Sequence, residues 1–443
     1  MLTITKRVKK VIQIASDDIL KEKLLDWAAQ FETFCWLDSN DYPQQYSNAE
    51  AILAVGEASK IQMHSKGSFE KLKDFQTKVA DYIFGYLSYD LKNDVEKLSS
   101  NNVDELGFPD LYFFQPKKVL IVKDNCLELA YLAACSSEID QDITSILNPA
   151  FNKKCLTENQ QKIEIKHRIS KQAYCKSIEV ILQHINRGDV YEVNFCQEFY
   201  INDCEIDPIK TYKKLNKISK APFSSLFRIK ERTLLCASPE RYLKKEGTKI
   251  ISQPIKGTSK RSTSFKEDQK SAEELSKNPK ERAENIMIVD LVRNDLSKLA
   301  LKGSVDVEEL CKVYSFKQVH QMISTIVCEV ADTTHPVDII KATFPMGSMT
   351  GAPKVAAMKI IEAQEKVKRG LYSGSVGYFT PTNDFDFNVV IRSLLYHQEK
   401  KYASYIAGGA ITAKSTPEDE YNECLLKAKA LSLVFSEDTS SDS

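Results

Sequence analysis

The stretch TLLCASPERYLKKEGTKIISQPI, residues 233–255, alternates short apolar runs with polar turn residues. TLLCAS is typical of a strand, SPER of a turn, and YLKKEGTKIISQPI of a hairpin. A second strand-rich region covers residues 370–412, and two polar helical regions, 265–277 and 279–300, lie between them. Because the strands are grouped and do not alternate with helices, the sequence predicts an α+β fold with large antiparallel β-sheets flanked by helices.

Further elements are predicted on both sides of this stretch. PKKVLIVKDNCLELAYLAAC is typical of a hairpin with its turn at Asp124-Asn125. Apolar spacing predicts one helix over residues 170–186 and a final helix over 417–435. Another amphipathic helix near the N-terminus is indicated by the spacing of Leu20, Leu24, Leu25, Trp27 and Phe31.

A chain of 443 residues exceeds the usual size of a single hydrophobic core. The composition turns polar over residues 136–163, and we place a domain boundary there. The sequence therefore predicts an N-terminal region over residues 1–145 and a second region over 165–435. Residues 436–443 are too polar to fold and are predicted to be a disordered tail.

The composition excludes several classes of protein. Lys+Arg of 61 against Asp+Glu of 61 gives a formal net charge of zero, so neither nucleic acid nor an anionic membrane is an expected partner. Apolar runs are far shorter than the roughly 18 residues of a membrane-spanning helix, and no secretory signal is expected. Eleven cysteines without a C-x-x-C pair argue against a disulfide framework or a structural zinc site. Together these features predict a cytoplasmic protein.

Two predicted helices each carry a Glu-x-x-Glu pair, Glu281 with Glu284 and Glu420 with Glu423. The first pair shares its helix face with apolar residues, so its carboxylates are directed inward, where they must be paired or must bind a cation. The four carboxylates form an oxygen donor set of the kind that holds Mg²⁺. The alternative is two solvated helix faces with Glu423–Lys427 as an ordinary i, i+4 ion pair, and the spacing alone favours this alternative.

Lys256 and Glu240 lie near the ends of predicted strands. Lys256 follows an apolar run in SQPIKGT. Burial penalises the charged form of a lysine, so we expect the pKa of Lys256 to fall below its reference of about 10.4 and to give a nucleophilic amine near neutrality. Glu240 in SPER is a candidate proton donor or acceptor beside it. The alternative is a surface lysine at a strand end.

Arg392 interrupts a run of β-branched residues in FNVVIRSL. Its guanidinium is expected to leave the sheet face towards an anion and to bind a carboxylate through two hydrogen bonds. Gly408 and Gly409 bring backbone N–H groups close to a ligand. The alternative is a buried structural salt bridge at Arg392.

Six motifs follow one another in the order PIKGT, ERAENIMIVDLVRNDL, GSMTGAPK, RGLYSGSVGYF, VVIRS and EDEYNECLLKA. In this order they resemble the chorismate-utilising family, which includes component I of anthranilate synthase and of aminodeoxychorismate synthase and the isochorismate and salicylate synthases. The resemblance covers about residues 165–435 strongly and the N-terminal region weakly, through FGYLSYDLKNDVE. It implies a fold like that of anthranilate synthase component I, and it outweighs the structural alternatives given above.

The resemblance implies a Mg²⁺ ion that is bound directly by Glu284 and Glu423 and through water by Glu281 and Glu420. In the family this ion binds the ring carboxylate of chorismate. Glu240 matches an acid/base glutamate near C4 of the substrate. The positions that match substrate-binding residues are Thr258, Ser348, Tyr372, Arg392, Gly408, Ala410 and Lys427, of which Tyr372 and Arg392 hold the enolpyruvyl carboxylate.

Residue 256 distinguishes two branches of the family. Anthranilate synthases typically have PIAGT here, whereas aminodeoxychorismate synthases that use a covalent lysine have PIKGT. The resemblance implies that Lys256 attacks C2 as the C4 hydroxyl leaves, and that ammonia then attacks C4 and expels the lysine. The product is 4-amino-4-deoxychorismate, the precursor of p-aminobenzoate and folate. Anthranilate formation is the alternative, and a non-catalytic ligand-binding regulator is a more distant one.

Four positions depart from the family pattern. Gln321 in VHQMIS stands where the family has histidine, and the neighbouring His320 points to the other strand face and cannot simply replace it. Glu192 in GDVYEVN replaces a glutamine that lines the entry of the nucleophile, and it either accepts a proton from incoming ammonium or forms a salt bridge. Ala410 replaces a glycine, and Lys414 replaces a common aspartate.

The resemblance also bears on partners. The chain has no glutaminase motif of the form G-x-C-x-G-x-Q, so ammonia is expected from solution or from a separate glutamine amidotransferase subunit. The segment FCWLDSN is similar to one that binds tryptophan in relatives, with Asp38 and Ser39 as the candidate residues. The alternative there is an ordinary strand end.

Overall fold

The computed structural model describes residues 6–435 except residues 41, 43–45, 47–48, 65, 149–162 and 318. Within these residues, twenty strands pair into one largely antiparallel sheet network, and eleven α-helices pack around it. The predicted α+β fold with large antiparallel sheets flanked by helices is confirmed. No helix in this part of the chain is both long and apolar enough to cross a membrane.

In chain order the strands are β1 (Arg7–Gln13), β2 (Thr33–Asp38), β3 (Ala51–Met63), β4 (Ile83–Leu87), β5 (Leu111–Lys123), β6 (Cys126–Leu132), β7 (Lys166–His167), β8 (Glu192–Ile201), β9 (Phe223–Ile229), β10 (Arg232–Ser238), β11 (Arg241–Glu246), β12 (Lys249–Gln253), β13 (Ile255–Lys260), β14 (Asp306–Ser315), β15 (Val319–Glu329), β16 (Gly351–Ala352), β17 (Ser375–Phe379), β18 (Phe385–Asn388), β19 (Ser393–His397) and β20 (Tyr402–Thr412). The helices are α1 (Asp18–Ala28), α2 (Ser68–Val79), α3 (Lys92–Val95), α4 (Ile139–Leu147), α5 (Lys171–Asn186), α6 (Pro208–Ser219), α7 (Phe265–Lys277), α8 (Pro279–Ser297), α9 (Pro336–Thr343), α10 (Lys354–Gln364) and α11 (Pro417–Ser432).

Strands of the two predicted regions pair directly with one another. All of β2 pairs with β9, and all of β4 pairs with β17. The N-terminal region and the second region therefore share one sheet, and the boundary between 1–145 and 165–435 stays a prediction. The predicted tail, 436–443, lies outside the described residues.

The hairpins appear where the turn residues predict them. Asp124 and Asn125 connect β5 to β6 with φ of 50° and 57°, the left-handed backbone that two-residue hairpin turns require. TLLCAS forms most of β10, and the next hairpin joins β11 to β12.

The two helices that carry the glutamate pairs, α8 and α11, begin in the same way. The side-chain oxygens of Asn278 and Thr416 accept hydrogen bonds from backbone N–H groups of the first turn. Pro279 and Pro417 then occupy the first helical position, where a missing N–H costs nothing. Each cap fixes its glutamate pair within the first two turns of the helix.

Strand β8 organises the site. It pairs with β20 along its whole length, with Thr412 opposite Glu192 at one end. The short strand β16 pairs with the same end of β8, through Ala352 opposite Glu192. Glu192 therefore lies between two neighbouring strands, where a side chain on the inner face has little contact with solvent.

Candidate active site

Lys256 lies at the start of β13, where the pairing with β15 shifts register between Ile255 and Thr258. Its side chain is 14 % exposed, and Nζ is 3.2 Å from Oε1 of Glu192, whose side chain is 1 % exposed. The side chain of Lys256 is thus a buried member of an ion pair, and the alternative of a surface lysine does not hold.

The prediction that burial lowers the pKa of Lys256 is wrong. Burial favours the neutral amine, but the carboxylates of Glu192, Glu284 and Glu240 outweigh it, and the pKa of Lys256 lies above its usual value. The sequence shows the apolar run before Lys256, but it does not show that three acidic side chains face the amine. In the ligand-free protein the amine is therefore protonated at neutral pH, and it must lose that proton before it acts as a nucleophile.

Glu240 is also buried, at 5 % exposure, and it accepts a 2.6 Å hydrogen bond from the Ser348 hydroxyl. Burial raises the pKa of Glu240 to about 7, against the opposing effects of Ser348 and Lys256. Both forms of the carboxyl group are therefore populated near neutral pH, as a general acid or base requires. The structure brings Glu240, Ser348 and Lys256 together.

Glu281 and Glu284 of α8 face β13. A Cβ atom built on Gly257 would lie 3.1 Å from Glu281 Oε2, so the lack of a side chain at Gly257, whose φ is +91°, admits the carboxylate. Burial raises the pKa of Glu284 to about 7; Lys256 opposes this effect, and the charge of Glu281 adds to it. The pair is directed inward, as the helical spacing predicts.

Glu420 and Glu423 of α11 converge on Gly409 in β20. A Cβ atom built there would lie 3.2 Å from Glu420 Oε2 and 3.2 Å from Glu423 Oε1. Burial raises the pKa of Glu420, and the charge of Glu423 adds to it. In Glu423 burial is outweighed by Lys427, and the pKa is lowered. Lys427 Nζ lies 2.7 Å from Glu423 Oε1 and donates a 2.9 Å hydrogen bond to the carbonyl of Gly408. The i, i+4 pair of Glu423 and Lys427 therefore also contacts β20.

One glutamate of each pair lies close enough to Lys256 and Lys280 for both lysines to lower its pKa. Burial raises the pKa of Glu284 and acts in the same direction on Glu423, and Lys256 and Lys280 oppose it in both. Carboxylate oxygens are the donors that Mg²⁺ prefers, and a cation would offset the charge of Glu281, which adds to burial in raising the pKa of Glu284. Among the described residues, no three His, Cys, Asp or Glu side chains are gathered closely enough to hold a metal ion. Carboxylate oxygens are ligands of the type that Mg²⁺ binds in proteins. The Mg²⁺ site stays a prediction.

Arg392 follows β18 with a φ of 52°. Its guanidinium makes no hydrogen bond or ion pair with any other described residue, so the alternative of a structural salt bridge is not observed there. Burial lowers the pKa of Arg392, and Tyr372 and Glu423 oppose this effect. A half-buried guanidinium without a protein partner is costly, which fits a position that an anionic ligand completes.

The remaining predicted substrate positions lie on β13, on β20 and between α10 and β17. Tyr372 is buried, with its hydroxyl 3.4 Å from the Cys196 thiol. Gly408 and Ala410 lie on β20 opposite residues of β8, and Gly408 pairs with Cys196. Thr258 is exposed on β13. The roles assigned to these residues by resemblance stay predictions.

Residues 32–432 match the model of one protein family, described as chorismate binding enzyme. The chain belongs to this family. The sequence is 36 % identical over 405 residues to a probable aminodeoxychorismate synthase, chloroplastic, of Oryza sativa, a match that covers 82 % of this chain and 45 % of the relative. This chain therefore spans about half the length of that relative.

Two bacterial relatives of this chorismate binding enzyme are matched over more of their length. Aminodeoxychorismate synthase component 1 of Bacillus subtilis is 33 % identical, over 78 % of this chain and 75 % of the relative. Anthranilate synthase component 1 of Thermus thermophilus is 32 % identical, over 79 % of this chain and 76 % of the relative. The crystal structure of anthranilate synthase component I from Streptococcus pneumoniae superposes with a TM-score of 0.75 at 23 % identity, over 88 % of this chain and 93 % of that one, and thus shares the fold.

One of the four departures from the family pattern, at Gln321, is explained by position. His320 is 1 % exposed, and its ring is held by Asp268 at 3.0 Å and Ser315 at 2.8 Å, so it is committed to the other face of β15. Gln321 is buried and pairs with Thr258 on β13, on the side of the site. Lys414 lies exposed in the turn after β20, and nothing in the structure explains the replacement of aspartate there.

The candidate tryptophan residues line a cavity between β2, β3 and β9. Asp38 is buried and binds Lys21 Nζ at 3.0 Å and the backbone N–H of Asn40 at 2.8 Å. The Ser39 hydroxyl donates a 3.0 Å hydrogen bond to the carbonyl of Glu50. Asp38 and Ser39 both border this cavity, and tryptophan binding stays a prediction.

Sequence reasoning missed the residues that hold the site together. The buried ion pair of Arg369 and Glu365 lies beneath it, and Arg369 also donates 2.7 and 2.8 Å hydrogen bonds to the carbonyls of Met349 and Asn194. Through these contacts Arg369 holds the loop that contains Ser348 against β8. The i, i+4 spacing of Glu365 and Arg369 was the available signal, but such pairs are usually exposed and weak.

Proposed function

We propose that this chain acts as component I of an aminodeoxychorismate synthase. It would convert chorismate and ammonia to 4-amino-4-deoxychorismate through a covalent bond between Lys256 and C2 of the substrate. The proposal rests on one observation above all, the placement of Lys256 Nζ among the buried carboxylates of Glu192 and Glu240. The names of the rice and B. subtilis relatives support it.

Glu240 is the candidate residue for proton transfer to the leaving hydroxyl, and Arg392 is the candidate for substrate binding. Glu240, whose pKa of about 7 leaves its acid form populated, is placed to give a proton to the departing C4 hydroxyl as Lys256 attacks C2. Splitting a hindered displacement at C4 into two allylic displacements lowers each barrier. Arg392, which lacks a protein partner among the described residues, would bind a carboxylate of the substrate by two hydrogen bonds, beside Tyr372.

The proposal includes Mg²⁺ as cofactor. Glu284 and Glu423 would bind the ion directly, and Glu281 and Glu420 would act through water. When bound, such an ion neutralises a substrate carboxylate and draws electron density from the ring. Gly257, which has no side chain, leaves room for the carboxylate of Glu281, and Gly409 leaves room for those of Glu420 and Glu423.

Ammonia is the second substrate in this proposal, supplied by a separate glutamine amidotransferase subunit or taken from solution. The product would serve p-aminobenzoate and folate synthesis in the cytoplasm. The name of the T. thermophilus relative supports a second candidate, anthranilate synthase component I, at nearly the same identity. Lys256 favours the first candidate, since the PIAGT motif typical of the anthranilate branch offers no amine at this position.

Product analysis separates the two candidates. The purified protein is incubated with chorismate, Mg²⁺ and excess ammonium, and the products are resolved by liquid chromatography and mass spectrometry. We expect 4-amino-4-deoxychorismate without release of pyruvate. Anthranilate together with an equal amount of pyruvate would contradict the proposal and favour the second candidate, and no turnover at all would favour a binding protein.

A further inference from the structure

One carboxylate oxygen of Glu192 contacts a protein group, and the other has no hydrogen-bond donor among the described residues. Oε1 lies 3.2 Å from Lys256 Nζ. Oε2 is fully buried and has no hydrogen-bond donor among the described residues. The whole residue is 1 % exposed. A buried carboxylate oxygen without a donor costs free energy, so Oε2 of Glu192 is a candidate contact for a ligand.

Glu198 on the same strand shows what a purely structural buried glutamate looks like. Arg168 Nη2 lies 2.6 Å from Glu198 Oε2, and the Tyr402 hydroxyl donates a 2.9 Å hydrogen bond to Oε1. Both oxygens of Glu198 are thus satisfied by protein groups at 2 % exposure. Glu192 differs from it in leaving one oxygen without a protein donor beside the amine of Lys256.

The charge around Glu192 selects the sign of the ligand. Glu192 forms the ion pair with the amine of Lys256 through one oxygen only. The other oxygen of this buried carboxylate lacks a donor, which favours a small cation and one that carries N–H groups. Ammonium meets both requirements, and it is the protonated form of the second substrate in the proposed function.

We propose that Oε2 of Glu192 binds the incoming ammonium ion and takes one of its protons, delivering ammonia beside the carbon–nitrogen bond that Lys256 makes to the substrate. This inference rests on the proposed covalent function and names the form of its nitrogen substrate. It makes Glu192 a catalytic residue, because its carboxylate touches the lysine nitrogen that leaves and the ammonium that replaces it.

The protons and electrons of this step balance. Bound ammonium gives one proton to Oε2, and the lone pair of the resulting ammonia forms the C4–N bond. The C2–N bond to Lys256 breaks as the double bond shifts, and its electron pair returns to the lysine nitrogen. The lysine nitrogen, which is a secondary ammonium in the adduct because a neutral amine attacked C2, leaves as a neutral amine. It then takes the proton from the carboxyl group of Glu192, which restores the ion pair of the resting protein. The product carries its new amino group in the ammonium form.

The test follows the discharge of the covalent adduct by ammonium. Wild-type protein and Glu192→Gln are loaded with chorismate and Mg²⁺, ammonium chloride is added over a pH series below the pKa of ammonium, and adduct loss is measured by intact mass. For the wild type we expect an apparent KM for total ammonium that changes little with pH. For Glu192→Gln it should rise about tenfold per unit of falling pH, because only the neutral fraction reacts.

The control is Glu198→Gln, which neutralises another buried glutamate of β8 and should keep the pH-independent KM of the wild type. Glu240 and Glu284 titrate in every variant. The quantity compared is therefore the apparent KM for total ammonium of each variant divided by that of the wild type at the same pH. Identical pH dependence in Glu192→Gln and the wild type would overturn the inference. Absence of any adduct in the wild type would contradict the covalent function instead, and the same ratios measured in steady-state amination would still test Glu192.

A second variant covers a failure of Glu192→Gln to fold, which thermal unfolding would reveal. Glu192→Ala leaves room for formate, a small carboxylate that can stand in for the missing side chain. We expect added formate to restore the use of ammonium at low pH in Glu192→Ala and to have no effect on the wild type. No response of Glu192→Ala to formate would contradict the inference.

Discussion

Ser348 donates its hydroxyl hydrogen bond, 2.6 Å long, to the same buried carboxyl group of Glu240 that lies near Lys256. The bond stabilises the charged form of Glu240 and so lowers a pKa that burial alone would raise further. The loop that holds Ser348 thereby sets the pH at which Glu240 changes from acid to base.

Ser348→Ala should extend the rising limb of the pH–rate profile to higher pH. The reaction needs the neutral amine of Lys256, whose pKa is raised, together with the acid form of Glu240, so the wild-type rate should rise with pH and level off above about 7. Removal of the donor raises the pKa of Glu240, and the rate should level off at a higher pH. The measurement is kcat for amination over a pH series at saturating chorismate, Mg²⁺ and ammonium. The control is Ser375→Ala, which removes another buried hydroxyl, bonded to the Asn388 carbonyl, and an equal profile in both variants would contradict the role of Ser348.

Lys256 should form an adduct when ammonia is withheld. With chorismate and Mg²⁺ alone, rapid denaturation and intact-mass measurement should show a species heavier by chorismate less one water, located on the peptide that contains Lys256. Lys256→Ala should give no adduct and lose most amination, whereas Lys260→Ala, at the exposed end of the same strand, should behave as the wild type. Full activity with an unchanged product in Lys256→Ala would exclude the covalent mechanism. Because the pKa of Lys256 is raised in the ligand-free protein, adduct formation should speed up as pH rises to about 7 and level off above it, where the acid form of Glu240 declines as the neutral amine increases.

The glutamate pairs should act together on metal and substrate. Glu284→Ala and Glu423→Ala are each expected to weaken Mg²⁺ binding by more than the roughly 10–100-fold typical of outer-shell partners, and to weaken chorismate binding with it. Titration calorimetry with Mg²⁺ alone and then with chorismate measures both effects. Glu418→Ala, an exposed position in the first turn of α11, provides the control. Mg²⁺ binding that is unchanged in both glutamate variants would refute the metal site.

The sequence is sufficient to predict the fold class and where the helices that contain the glutamate pairs begin, because strand grouping, helix caps and the order of motifs are local features. Asn278 and Thr416 show this, since each cap alone fixes where a glutamate pair begins. The charge state of Lys256 could not be predicted in the same way. It depends on Glu192 and Glu284, which are 64 and 28 positions away along the chain and meet the amine only through β8 and α8.

Arg392 provides the most direct test of the substrate-binding geometry. Lysine at this position would keep the charge but lose the planar pair of N–H donors, and a hydrogen bond to a charged group is worth about 1.5–3 kcal/mol. We therefore expect Arg392→Lys to raise KM for chorismate by roughly tenfold to a hundredfold, with kcat reduced as well because the substrate is no longer held in one orientation. Initial-rate measurements with varied chorismate give both constants. Arg228→Lys, a partly exposed arginine of β9 whose guanidinium stacks on Phe34, is the matched control and should leave KM unchanged. A KM for Arg392→Lys equal to that of the wild type would show that the guanidinium does not contact chorismate, and its lack of a partner among the described residues would then need another ligand.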